Sequence, residues 1–189
     1  MTKTAPSAED LIALFSERLL GVGGHGQVVA DSTSAADAIH AIAGEESVRT
    51  IWASSDVTQR APALIAHLAQ LGFATKVPEC AVDVRDQPLG LAIAEGAIAE
   101  TGTAIMSEPH VDSRSVTLIT ETLVIVCPTS AVMPSLDEAA RMLRAISASG
   151  ASYATFVTGP SRTADIERQL TVGVQGPGVL HFILVDDLS

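Results

Sequence analysis

Short apolar runs alternate with helix-length amphipathic stretches along this chain. Leu11, Ile12, Leu14, Phe15 and Leu19 recur at helical spacing behind Ser7-Ala8-Glu9-Asp10, a capping-box pattern with Asp in place of Glu. They predict a helix ending near Leu20, followed by the glycine-rich segment Gly21-Val22-Gly23-Gly24-His25-Gly26 and a short strand over 27–30. A second helix opens at Ser34-Ala35-Ala36-Asp37, turns Ile39 and Ile42 inward and stops at Gly44. Strands over 50–53 and 73–77 bracket a helix that starts at Asp56, carries Leu64, Ile65 and Leu68, and ends at Gly72. Strands separated by helices of this length predict an α/β fold with a mostly parallel sheet flanked by helices.

The second half is less regular. Residues 83–88 read as a polar loop. Residues 90–106 are almost all small or aliphatic, yet hold Glu95 and Glu100. A carboxylate buried without a partner is costly, so each should face a cleft or find a donor. Glu100-Thr101-Gly102-Thr103 is expected to be a turn entering a strand. Residues 109–115, with His110, Asp112 and Arg114, read as a polar loop, and Arg114 as a surface charge or a second anion-binding candidate. A buried strand follows over 122–126. Ser135-Leu136-Asp137-Glu138 opens a helix with Leu136, Ala139, Ala140, Leu143 and Ile146 on one face and Arg141 and Arg144 outside, ended by Gly150. Ala154-Thr155-Phe156-Val157 is a strand, Gly173-Val174-Gln175-Gly176-Pro177-Gly178 a compact turn, and 181–185 the last strand.

Composition narrows the class. A chain of 189 residues can bury a proper core in one domain. With 47% hydrophobic and only 17% charged residues it is globular, and with 3% aromatics its core must be built from Ala, Val, Ile and Leu. The net charge of −11 and the scattered basic residues argue against nucleic acid as a partner. A small anionic ligand held by one local Arg remains compatible. There is no apolar signal core at the N-terminus and no run of about 18 apolar residues to make a membrane span, so the expected location is cytoplasmic. The division expected is an N-terminal tail and helix over 1–20 and a single α/β domain over 21–189.

The densest polar segment is Thr158-Gly159-Pro160-Ser161-Arg162-Thr163-Ala164-Asp165-Ile166-Glu167. It reads as a strand, a tight loop and a helix start. In an open α/β sheet such loops lie at the carboxyl ends of strands, where ligands bind and helix N-termini favour anions. Ser161, Thr163 and Arg162 could cradle an anion there. Equally, Ser161 or Thr163 could cap the helix, with Arg162 paired to Asp165 or Glu167. Glu100 could be a base, a nucleophile or a hydrogen-bond acceptor, or a structural carboxylate holding backbone N–H groups. The glycines around His25 are a connector and no dinucleotide loop, because a helix precedes them and a strand follows; His25 is expected to be solvated. His40 and His67 share no metal-ligand spacing, and no metal is expected. Cys80 and Cys127, the only cysteines, cannot supply the four thiolates an iron–sulfur cluster usually takes, and Cys127 reads as a buried small hydrophobe.

Three segments together carry a resemblance. Ala97-Ile98-Ala99-Glu100-Thr101-Gly102-Thr103, the long motif Thr158 to Glu167, and Gly173-Val174 with Gly176-Pro177 resemble the LUD-domain family, named for lactate utilisation, over roughly residues 20–187. The resemblance implies the fold shared by ribose-5-phosphate isomerase, glucosamine-6-phosphate deaminase and coenzyme A transferases. It also implies participation in the oxidation of L-lactate to pyruvate, as a cluster-free subunit beside two cysteine-rich subunits that carry iron–sulfur clusters. Within it, Glu100 is the catalytic candidate, and Thr101, Gly102, Thr103, Gly159, Pro160, Ser161, Arg162, Thr163, Asp165, Glu167, Gln175 and Gly176 are the ligand-binding candidates. Two positions depart from the family pattern. Gln175 stands where the family often has His, and an amide does not titrate. Ile93-Ala94-Glu95 stands where the family tends to have Gly-Ala-Asp. The alternative is a stand-alone enzyme or binding protein of this fold, acting on a small phosphorylated or carboxylate ligand.

Overall fold

The computed structural model describes residues 6–45, 48–148, 150, 153–163, 171–174 and 176–188. The elements run α1 (Ala8–Gly21), β1 (His25–Asp31), α2 (Ser32–Glu45), β2 (Thr50–Ala53), α3 (Ser55–Arg60), α4 (Pro62–Gln70), β3 (Ala74–Lys76), β4 (Leu89–Ile93), β5 (Gly96–Ile98), β6 (Thr103–Ser107), α5 (Val111–Ile119), β7 (Thr122–Pro128), β8 (Val132–Met133), α6 (Leu136–Ala148), β9 (Ala154–Val157), β10 (Arg162–Thr163), β11 (Thr171–Val172) and β12 (Val179–Asp187). Single turns of 3-10 helix sit at Ala81–Val84 and Thr129–Ala131.

Six strands form one parallel sheet in the order β1-β12-β7-β4-β2-β3. Its central strands β4 and β7 are buried and almost wholly apolar, because both faces are covered. On one face, Ile39, Leu64, Leu68, Ile51, Leu91 and Val126 pack with the helices α2, α3 and α4. On the other, Phe15 and Leu19 of α1 and Val116 of α5 meet Leu123, Ile125, Phe182 and Leu184. A second sheet, β8-β5-β6-β9, lies on this side. In it β6 is antiparallel to both β5 and β9. Helix α6 covers its outer surface through Ala139 and Ile146 against Ile98 and Ile105. The α/β class with a mostly parallel, helix-flanked sheet is therefore as expected. No helix among the described residues is long and apolar enough to cross a membrane.

Several local expectations change. The helix expected from Asp56 to Gly72 is two helices, broken at Ala61 (φ −131°) because Pro62 disfavours helical geometry in the residue before it. The polar loop expected over 109–115 is most of helix α5. Its hydroxyls bond back to the helix itself: Ser115 Oγ donates to Val111 O at 2.6 Å, and Thr120 Oγ1 to Val116 O at 2.8 Å. Arg114 is no free surface charge. It is half-buried, donates to the Glu108 carbonyl at 3.1 Å and lies 5.0 Å from the centre of the Tyr153 ring. His25 is exposed as expected but stacks on His181 at 5.0 Å.

Candidate functional site

The motif segments converge, but at the opposite edge of the parallel sheet from the one expected. Strand β9 is not part of that sheet; it pairs with β6 in the smaller one. The segment after it is tied to the amino ends of the parallel strands. Ser161 N donates to Pro177 O at 2.8 Å, Gly173 N to Ser161 O at 3.0 Å, and Gly178 N to Glu121 O, just before β7, at 2.9 Å. Arg162 and Thr163 pair antiparallel with Val172 and Thr171 instead of opening a helix there. The helix expected from Ile166 to Leu170, with Asp165, Glu167 and Gln175, lies outside the described residues.

What these segments hold is the end of α1. Thr101, Thr103 and Thr158 form a ladder of hydroxyls, each step 2.7 Å. The guanidinium of Arg162 donates to the carbonyl of Val22, just past α1, and Arg162 and Pro160 flank Gly23. Gly159, at φ +79°, approaches so closely that a Cβ would stand 2.7 Å from Val22 O. Gly102 presses on the backbone of Arg18 and Leu19, and Gly176 on Ser161. Glu100 is exposed on the far side of its turn. Its Oε2 accepts from Leu136 N at 3.4 Å at the start of α6, and its own N–H donates to Pro134 O at 3.1 Å. A negative charge at that helix end is favourable. A cavity of about 460 Å³ lined by Glu17, Arg18, Leu20, Gly21, Val22 and Thr101 adjoins this clasp.

The carboxyl edge holds a different constellation. Strand β2 leads outward to β3, whereas β4 leads the other way to β7 and β12. The chain therefore reverses direction between β2 and β4, and ligands of open α/β sheets bind at such points, beyond the strand ends. Ser54, Ser55 and Asp56 follow β2, and Ala94 and Glu95 follow β4. Arg60, the last residue of α3, bridges the crevice to Glu95 with Nη1 2.7 Å from Oε1. Both side chains are partly open to solvent, at 37% and 30%. Asp112 of α5 accepts from Ser55 N at 2.8 Å, fixing the loop after β2. Burial raises the Asp112 pKa, but the Ser55 hydroxyl and N–H and the N–H groups of its own helix turn outweigh it, and the carboxyl stays below its usual range. Beside the crevice a cavity of about 260 Å³ is lined by Glu95, Ser107, Met142, Ala145 and Ile146.

Two further groups here are shifted. Burial pushes the Asp56 carboxyl upward; Arg60 opposes this, while Asp112 and Glu95 add to it. Burial likewise pushes the Cys127 thiol up to about 12, so it is a protonated, inert side chain under the crevice floor. Because the folded state disfavours ionised Asp56, its contribution to stability is complete at low pH and is lost as pH rises through its raised pKa. Asp56→Asn, neutral at every pH, should therefore raise Tm over wild type at mildly alkaline pH, with the gain vanishing in acid. A gain independent of pH would contradict the assignment.

Sequence reasoning found Glu95 but not its partner. Arg60 lies 35 positions away, and only the strand order brings the two together. The one available signal was Asp56 and Arg60 spaced by four on a helix.

Known proteins can now be set beside this geometry. A crystal structure of a DUF162 family protein from Deinococcus radiodurans superposes with a TM-score of 0.73, covering 96% of this chain and 99% of that one at 20% identity, which shows a shared fold. Lactate utilization protein C 1 of Bacillus mycoides (strain KBAB4) is 35% identical over 102 residues, covering 52% of this chain and 44% of the relative. Lactate utilization protein C of Bacillus subtilis (strain 168) is 36% identical over 102 residues, covering 52% and 42%. The matched stretch thus spans less than half the length of these relatives. The LUD domain matches residues 12–185, nearly the whole chain, and the chain belongs to the LUD-domain family.

Proposed function

We propose that this chain works in lactate utilisation, as the cluster-free component of a system that oxidises L-lactate to pyruvate beside iron–sulfur partner subunits. The observation that carries this is the identity of about a third, over 102 residues, to proteins named lactate utilization protein C. The oxidation removes a pair of electrons and two protons from the substrate. Residues of this chain do not fit a cluster of its own: Cys80 is exposed and Cys127 is buried with its thiol protonated. The electrons then pass to partners or to another cofactor, which is why cysteine-rich partners belong to the proposal.

Affinity capture of this chain from its own cells grown on L-lactate tests it. Co-retained cysteine-rich proteins containing iron and acid-labile sulfide, with lactate-oxidising activity, are expected. A lone protein under these conditions would count against the subunit role.

The crevice between β2 and β4 favours a second reading, in which the chain itself binds a small carboxylate. A ligand carboxylate could replace Glu95 on the planar fork of Arg60, whose donors suit bidentate pairing. Asp56, Glu95 and Asp112 around a single Arg select for a ligand that also offers hydroxyl donors, as a 2-hydroxy acid does. Asp56 would then accept a hydrogen bond from that hydroxyl.

A further inference from the structure

The outer edge of the parallel sheet is the strongest unabsorbed feature. Among the described residues, strand β1 pairs with β12 on one side only. Six of its seven residues are exposed, Val28 to 46%. An edge strand this long is usually blunted by Lys, Pro, a bulge or a covering segment. The sequence His-Gly-Gln-Val-Val-Ala-Asp has neither Lys nor Pro, and its register with β12 runs without a bulge from His25↔His181 to Val29↔Val185. The opposite edge, β3, has three residues, and Lys76 lies on it over Trp52. The two edges are therefore not alike in their protection.

The strand is also complementary to itself. If two copies run antiparallel about a two-fold axis at Val28, then His25 faces Asp31 of the second copy, Gly26 faces Ala30, Gln27 faces Val29, and Val28 faces its own equivalent. A polar pair, His25 with Asp31, thus stands at both ends, where Asp31 also accepts from Ser34 N at 2.8 Å, and Val28 meets Val28 in the middle. Directly opposed residues share a face of the sheet, and the faces here agree. Gly26 abuts Leu19 of α1, while His25 and Gln27 line a cavity with Ala38, Ala41 and Ile42 of α2. Val28, on the α1 face, borders a groove of about 830 Å³ whose apolar wall is Ala8, Ile12 and Ala13 and whose rim carries Glu9 and Asp186. A two-fold contact of this kind closes on itself and joins the two parallel sheets into one.

We propose that β1 is a homodimerisation edge, pairing antiparallel with β1 of a second copy of this chain about Val28. The pairing is independent of the lactate role.

The test is sedimentation of the full chain over a range of concentrations, with register-specific cross-linking. A concentration-dependent dimer is expected, and Val28→Lys should shift it to monomer while leaving the circular dichroism unchanged. In a Cys80→Ser background, Val28→Cys should form a disulfide-linked dimer on oxidation, because opposed Cβ atoms lie about 4.5–5.5 Å apart. Gln27→Cys, which faces Val29 of the other copy, should not. A monomer at every concentration overturns the proposal. So does a dimer that survives Val28→Lys, or one in which Val28→Cys does not cross-link, since such a dimer uses another surface.

Discussion

Gly102→Ala should destabilise the fold by about 3–5 kcal/mol, a large part of the roughly 5–15 kcal/mol available to a domain. Gly102 sits at φ +65°, where a side chain costs about 1 kcal/mol. The larger effect is steric. A Cβ there would overlap the backbone N of Leu19 and stand 2.8 Å from the carbonyl carbon of Arg18 and 2.9 Å from the Leu19 Cα. Backbone in the last turn of a helix cannot step aside as a flexible side chain can. The end of α1 must lift, uncovering Phe15 and Leu19, each 1% exposed. Gly44 is the control: a Cβ there meets nothing within 4 Å, and it lies inside α2. Gly44→Ala should be neutral or stabilising by up to about 1 kcal/mol. Urea denaturation of the two variants decides the point, and a loss below about 1 kcal/mol at Gly102 would show that the motif does not hold α1.

Phe182→Ala should cost a comparable amount, about 3–5 kcal/mol. Phe182 lies on β12, between β1 and β7, and is 1% exposed. Its ring is 4.7 Å from that of Phe15, inclined at 56°, a favourable tilted arrangement. In a chain with only 3% aromatic residues, this ring pair joins α1 to the sheet, within the cluster that also holds Leu19. Truncation leaves a cavity that strands fixed on both sides cannot close. The two rings touch, so the double variant Phe15→Ala/Phe182→Ala should lose less than the summed single losses, by about 0.5–1.5 kcal/mol. Strict additivity in denaturant titrations would mean that the contact contributes nothing of its own.

Both predictions bear on why the family motif is where it is. Thr101, Gly102, Thr103, Gly159 and Arg162 are drawn together around α1: the threonine hydroxyls bond each other and Thr158, and Arg162 donates to the Val22 carbonyl. Their density of polar atoms was legible in the sequence; that it serves to join segments far apart in the chain was not. The parallel sheet was legible because helices of regular period separate its strands. The smaller sheet was legible only in part: the strands entered at Thr103 and spanning 154–157 were expected, but not that they pair in a sheet of their own. Strand β5 is wholly buried and β6 nearly so, so the alternation that marks a half-exposed strand is erased. Helix α5 was missed because Asp112, Ser113, Ser115 and Thr117 look like loop residues, while three of its residues with hydroxyl side chains point inward. Of the crevice of Asp56, Arg60, Glu95 and Asp112 only Glu95 stood out in the sequence, as a carboxylate inside an aliphatic run; the other three read as ordinary surface charges or caps, and only the strand order brings the four together.

The most direct measurement is the rate of L-lactate-dependent reduction of an artificial electron acceptor in extracts of lactate-grown cells, with and without the gene for this chain. The account predicts that the rate collapses without the chain and returns when purified wild-type protein is added back. An undiminished rate in extracts lacking it would contradict a role in lactate oxidation.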